Sequence, residues 1–401
     1  MDDHSILEDL FRERRFFELR DEVEKRRGDQ SPELLFYRGA IANKFDRMRE
    51  SIGFLEEYLK FAKPTDEKIG KCYELLGDNY AKIFQYRRAG ECFKKLLEQF
   101  GGGFDEAKKQ DAEYLYNLWS AAGDVPPQTI SFAADTRVQA VRDKIGLLNL
   151  PVEINRGKIN FIFDTGADVS SISASNAAKL GLKITECDIS VGGASCRSNA
   201  KLTIAPMMKM GNVIIENIVL LVLADKDFYI EKYDYQINGV FGYQAIAAFR
   251  QITLTQKDEV FIPANAVHQK AEQNFCMDEM KPILSVIVDN QPMTFFVDTG
   301  ASKTKFFPKL LESKTVEIEK IGKLQTASMT GVGGTKDYPA YVVDEFPLTV
   351  SGKTLKFSNA VIFTAPTLYQ SEYHYGNIGQ DWIAQFEKMT IDFTAMNIAF
   401  E

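Results

Sequence analysis

Histidine is scarce. His4, His268 and His374 are the only three in 401 residues, far apart and without HExxH-type spacing. Catalysis through imidazole and histidine-rich metal sites are therefore poor starting points. Cysteine is nearly as sparse: Cys72, Cys92, Cys187, Cys196 and Cys276 form no CxxC pair. Neither a zinc site nor a disulfide framework is expected, and no metal or cofactor is assigned. Cys187 and Cys196 could pair across a hairpin, but free buried thiols are the expectation. No apolar run reaches about 18 residues, so no membrane span is predicted. Positive charge is not in excess either: 48 Lys+Arg against 56 Asp+Glu leaves a net charge of −8. That is the wrong sign for a nucleic-acid surface, which needs clustered Lys and Arg. The opening MDDHSILEDL lacks the basic and apolar regions of a signal peptide. Two compartments stay open, the cytoplasm, or a periplasmic or cell-surface location after removal of a signal.

What is present divides the chain. Residues 1–124 hold 22 Lys+Arg and 26 Asp+Glu, and residues 125–401 hold 26 and 30. Charged residues thus fall from 48 in 124 to 56 in 277. The first part spaces its apolar residues near 3.6, as in Leu7, Leu10 and Phe11, then Ile52, Leu55 and Leu59; this predicts amphipathic helices. Tyr73, Leu76, Gly77 and Tyr80, followed by Ala89, Phe93 and Leu96, match an earlier set around Leu35, Gly39, Ala42, Ser51 and Leu55. Gly39 to Gly77 is a step of 77 − 39 = 38 residues. The pattern resembles tetratricopeptide repeats with a few residues inserted; a generic helical-hairpin solenoid is the alternative. GDVPPQ at 123–128 reads as a linker, because two prolines stop a helix. Beyond it Val, Ile and Phe alternate with polar residues between Gly, Asn and Asp punctuation, a β pattern.

Two tripeptides carry the chemistry. Asp164-Thr165-Gly166 lies in INFIFDTGADVSSI, and Asp298-Thr299-Gly300 lies in MTFFVDTGASKTKF. One such tripeptide arises by chance in on the order of one chain in ten of this size. Two, each after an apolar run and each before Ala, call for another explanation. Their surroundings repeat as well. VEINRGKINFIF and VIVDNQPMTFFV both read as strand, polar turn and strand ending on the Asp. A short helical stretch follows each, at 174–180 and 307–311. Then come glycine-bearing turns, SVGGAS at 190–195 and TGVGGT at 330–335. Last come NGVFGYQAI and YGNIGQDWI, whose final glycines lie 242 − 164 = 78 and 379 − 298 = 81 residues beyond the Asp.

This region, about 130 to 401, resembles the retropepsin-like and pepsin-like aspartic peptidases, with both lobes in one chain. The resemblance implies a multidomain α and β protein: a helical domain at 1–124, then an all-β bilobal acid-protease fold with lobes at 125–265 and 266–401. It implies an Asp164/Asp298 dyad positioned by Thr165, Gly166, Thr299 and Gly300, and two unequal flaps carrying Gly192 and Gly193 in one lobe and Gly333 and Gly334 in the other. Asp168 matches an acidic residue that is structural in retropepsins; Ser302 stands in its place in the second copy. The activity implied is endopeptidase cleavage of a peptide or protein substrate, with the helical part available to a protein partner. Bacterial proteins of similar make-up are often exported. Members also exist that keep the fold for binding alone, so an inactive peptide-binding or scaffold protein is the competing reading.

The physical logic stands beside the resemblance. Gly lets a backbone N–H approach a carboxylate without a Cβ in the way. Thr supplies a hydroxyl that can bond across to the other loop. Two carboxylates held together cannot both ionise cheaply, so they share a proton. Among the other candidates, Asp381 is expected at a helix start and His374 on a loop, while Met207, Met208 and Met210 are expected in packing.

Overall fold

A computed structural model describes residues 3–29, 31–192, 197–268, 272–331, 334–367 and 371–401. The chain forms two compact units. One is Met1–Pro127 together with Cys276–Glu279; the other is Gln128–Phe275 together with Met280–Glu401.

The first unit is helical. Its helices are α1 Asp3–Arg12, α2 Phe16–Lys25, α3 Pro32–Lys44, α4 Met48–Phe61, α5 Lys68–Lys82, α6 Tyr86–Phe100 and α7 Glu106–Ala121. The first six pack as three hairpins, and α7 packs on α6. Local signals fix several ends. Pro32 opens α3 behind Ser31, whose side chain accepts from Leu34 N–H, and Asp105 caps α7 by accepting from Lys108 N–H. All three hairpins turn alike. Arg14, Asp46 and Phe84 take φ of 56°, 58° and 60°. The next N–H then reaches the carbonyl five residues back: Arg15 to Leu10 at 2.9 Å, Arg47 to Ala42 at 2.8 Å and Gln85 to Tyr80 at 2.8 Å. Asp46 to Phe84 is again 84 − 46 = 38 residues. Gly39 and Gly77 lie against the second helix of their hairpins; a Cβ there would come within 2.6 Å of Leu55 and 2.5 Å of Phe93.

Cys276–Glu279 belongs to this helical unit. Asp278 is 3% exposed at its side chain, and its carboxylate accepts from Lys44 Nζ at 3.0 Å and from Arg14. A second buried polar group lies on α3 to α5. Asn43 donates to Asp78 at 2.7 Å and to Asn79 at 3.0 Å, and Asn79 donates to Ser51 at 2.8 Å.

The second unit holds two closed sheets of one plan, a third sheet of five strands and a small two-stranded ribbon, Tyr229–Ile230/Tyr235–Gln236. In the first, hairpin Leu148–Ile154/Gly157–Phe163 ends at Asp164, and Gly157–Phe163 runs parallel to Gly239–Phe241. Gly239–Phe241 pairs antiparallel with Ser171–Ser173, and the long hairpin Arg197–Met210/Val213–Leu223 closes the sheet. In the second, hairpin Lys281–Val288/Gln291–Val297 ends at Asp298, and Gln291–Val297 runs parallel to Gly376–Ile378. Gly376–Ile378 pairs with Lys305–Phe306, and Gly334–Val350/Lys353–Phe363 closes the sheet through Val288 and Val350. The third sheet has five strands in the order Thr136–Gln139, Glu259–Ile262, Gln251–Thr255, Lys388–Asp392 and Asn397–Phe400. It draws on chain from before the first motif and after the second. The fold is therefore a helical region followed by the β architecture expected of an aspartic-protease fold.

Candidate active site

Each Asp follows a buried apolar strand end, Phe161–Phe163 in one copy and Phe295–Val297 in the other. The strand passes between neighbours on both sides, so the carboxylate leaves it at a fixed place. Asp164 N–H bonds Phe241 O at 3.1 Å, and Asp298 N–H bonds Ile378 O at 3.0 Å. The structure brings Asp164, Thr165, Gly166, Asp298, Thr299 and Gly300 together.

The threonines lock the two loops reciprocally. Thr165 Oγ1 donates to Val297 O at 2.6 Å and accepts from Thr299 N–H at 3.1 Å. Thr299 Oγ1 donates to Phe163 O at 2.8 Å and accepts from Thr165 N–H at 3.0 Å. Both threonines are fully buried. The glycines make the approach possible. A Cβ at Gly166 would lie 2.7 Å from Asp298 Cγ, and one at Gly300 would overlap the Asp164 carboxyl. Asp164 Oδ1 also accepts from Gly166 N–H at 2.8 Å and Ala167 N–H at 3.2 Å.

Burial pushes the Asp164 pKa well above the ordinary aspartate range, and the neighbouring Asp298 charge pushes it further. The two backbone N–H groups oppose this without cancelling it. The pair therefore keeps a proton at pH values where an isolated aspartate has lost it.

A ring of partners holds the loops. Tyr243 N–H bonds Ala167 O at 2.7 Å, and Gln380 N–H bonds Ala301 O at 2.8 Å. Ser170 Oγ accepts from Gly242 N–H and Thr304 Oγ1 from Gly379 N–H, both at 3.0 Å. Gln380 Nε2 donates to Thr299 O at 2.7 Å. Asp381 sits in the first turn of helix Gln380–Ile383, as expected, and accepts from Thr304 N–H at 2.6 Å. Asp168 bonds Lys281 at 2.7 Å. His374 lies on a loop, as expected, and is fully buried there, with Nδ1 3.0 Å from Thr294 Oγ1 and its ring against Phe296. Met208 and Met210 are buried as expected, whereas Met207 is 49% exposed.

The flap candidates lie on hairpins apart from the dyad loops. Gly192 ends strand Ile189–Gly192 and pairs with Arg197. Gly334 opens strand Gly334–Val350 at φ 127° and pairs with Gly331. Gly193 and Gly333 lie outside the described residues. The first hairpin pairs over four positions, the second over nine. Among the described residues no group of three or more His, Cys, Asp and Glu forms a metal-holding cluster, and no helix is long and apolar enough to cross a membrane.

Two neighbours of the dyad escaped the sequence reading. Asn377 Nδ2 donates to Asp298 Oδ2 at 2.8 Å, and Lys305 lies on the adjacent strand directly opposite Asn377. A signal for both existed. Lys305 follows Asp298 by seven residues, where Ser171 follows Asp164 by seven, and Asn377 in YGNIG stands where Val240 stands in NGVFG.

A family model described as aspartyl protease matches residues 150–245 and 284–382, one stretch around each Asp-Thr-Gly. No curated protein matches the chain. The chain carries an aspartyl protease-like domain.

Proposed function

We propose that the protein is an aspartic endopeptidase whose catalytic residues are Asp164 and Asp298. The observation that carries this reading is the reciprocal Thr165/Thr299 lock, which holds two carboxyls together in a half-buried site where one must keep a proton. The ionised carboxylate takes a proton from a water, whose oxygen attacks the scissile carbonyl carbon. The protonated carboxyl gives its proton to the carbonyl oxygen. The tetrahedral species then collapses: the C–N bond breaks, the first carboxyl passes its new proton to the leaving nitrogen, and the second recovers its own.

In this reading Gly192, Gly193, Gly333 and Gly334 belong to two unequal flaps. These hold an extended substrate by strand-like main-chain bonds. The lobes are 125–265 and 266–401. The helical part, 1–124, is a tetratricopeptide-like array that engages a protein partner or the substrate protein, supported by the 38-residue recurrence of both glycine and turn.

The test is cleavage of an unfolded protein across pH 3–8 by wild type and by Asp164→Asn and Asp298→Asn. Each variant is expected to lose roughly 10²–10⁴-fold in kcat/KM while staying folded. Full activity in either would end the dyad assignment. No cleavage by the wild type, with tight peptide binding, would favour a binding protein instead.

A further inference from the structure

The two halves of the site match in backbone and differ in side chains. Asp164 and Asp298 bond equivalent carbonyls, those of Phe241 and Ile378. The residues just before these, Val240 and Asn377, are therefore counterparts. Their antiparallel partners are Ser171 and Lys305. Residues directly opposed on neighbouring strands project to the same face. The second half thus has an amide and an ammonium where the first has an isopropyl group and a hydroxyl.

The amide is engaged, donating to Asp298 at 2.8 Å. Lys305 is half-buried, and among the described residues no carboxylate lies within ion-pair distance of it. Burial pulls the Lys305 pKa down from the ordinary lysine value, and the Asp298 charge pulls it back. The other charged groups on the framing elements are occupied. Lys303 lies 3.9 Å from Asp381, Lys281 2.7 Å from Asp168, and Arg142 2.7 Å from Asp258. Facing the dyad, the charges to reckon with are the two aspartates and Lys305.

We propose that Asn377 and Lys305 are positioning residues that polarise the dyad, holding Asp298 as the ionised carboxylate and leaving the shared proton on Asp164. A hydrogen-bond donor and a nearby cation both favour the charged form of a carboxylate. Asp164 Oδ1 also has donors, Gly166 N–H at 2.8 Å and Ala167 N–H at 3.2 Å, but the first half has no cation in the place of Lys305. Only one member of a close pair ionises readily, and that added cation decides which. Under the peptidase reading, on which the catalytic half of this inference rests, Asp298 is then the base toward water and Asp164 the acid toward the carbonyl oxygen.

The first arm of the test needs no cleavage. Urea unfolding is followed from pH 3 to 8 for wild type and variants. A folded-state carboxyl with a raised pKa stabilises the protein below the ordinary aspartate range, and that stability is lost as pH rises through the raised value. Beside the decline that Asp46 contributes near pH 6, Asp164→Asn is expected to remove the share due to the pair, whereas Asp298→Asn retains part of that share. Adding Lys305→Met or Asn377→Val to Asp164→Asn is expected to bring a decline back, because Asp298 then loses its support. Equal flattening by the two aspartate variants, or a double variant that declines no more than Asp164→Asn alone, would overturn the proposal.

The second arm is the pH profile of kcat/KM on a peptide substrate. Lys305→Met and Asn377→Val are expected to move the acidic limb upward by about one pH unit, with Lys305→Arg restoring it. An unmoved acidic limb in active variants would overturn the proposal. A wild type that cleaves nothing would sink the peptidase reading and leave the first arm to decide the polarity.

Discussion

The hydroxyls of Thr165 and Thr299 each serve two buried backbone groups of the opposite loop. Thr165→Val leaves Thr299 N–H without its acceptor and Val297 O without its hydroxyl donor. An orphaned buried polar group costs about 1–3 kcal/mol, so each single Thr→Val change is expected to destabilise by roughly 2–4 kcal/mol. The double variant should cost less than the sum, because the two hydroxyls belong to one network. Urea unfolding checks both numbers; additivity would mean that the loops are held independently. Gly300→Ala works differently, since its Cβ would overlap the Asp164 carboxyl. Peptide cleavage is expected to disappear while circular dichroism stays native. The Asp-Thr-Gly triplets were legible because every atom of this lock lies within two residues of an Asp. Asn377 and Lys305 were not, because their meaning depends on strand register. Sequence offsets align them with Val240 and Ser171 but do not say which face they share with Asp298.

At the scale of elements, the three helical hairpins use one turn with three different residues at positive φ. A non-glycine residue in that conformation costs about 1–2 kcal/mol, offset here by the carbonyl bond that follows. Only two of the hairpins were legible as repeats. Seven residues before the turn stand Gly77 and Gly39, but Leu7 takes that place in the first hairpin, and the glycine signature is lost. Asp46, in the second turn, is pushed up to about 6 by burial and by Asp78, with Lys82 opposing. Its folded pKa lies above the unfolded one. Its contribution to stability is therefore full below the ordinary aspartate range and is lost as pH rises through about 6. Asp46→Asn, which also tolerates positive φ, is expected to flatten that part of the stability profile between pH 4 and 7. A profile identical to wild type would show that Asp46 does not titrate with a raised pKa.

On the scale of the whole molecule, sequence neighbours and structural neighbours part company. The five-stranded sheet joins strands near residue 136 with strands near residue 400, and the helical unit takes in Cys276–Glu279. Nothing in the apolar and polar pattern around Phe275–Met280 marks this segment as part of a helical unit. Its charged partners there, Lys44 and Arg14, stand 234 and 264 positions away. Breaking a buried ion pair by removing one partner costs about 3–5 kcal/mol. Asp278→Asn is expected to lower stability by about that amount, and combining Arg14→Met and Lys44→Met with Asp278→Leu should recover most of it. If the triple variant is no better than the single, the charges are not coupled. The same contact sets an order of events at the ribosome. Lys44 emerges early, but its carboxylate is made 234 residues later. At about 5–20 residues per second, that is a wait of roughly 12–47 seconds. The amino-terminal helices are synthesised first, yet they cannot be finished first. Their completion falls after Asp164 and before Asp298 in order of synthesis, so a nascent chain paused between Asp164 and Phe275 would carry a helical unit still lacking its last four residues.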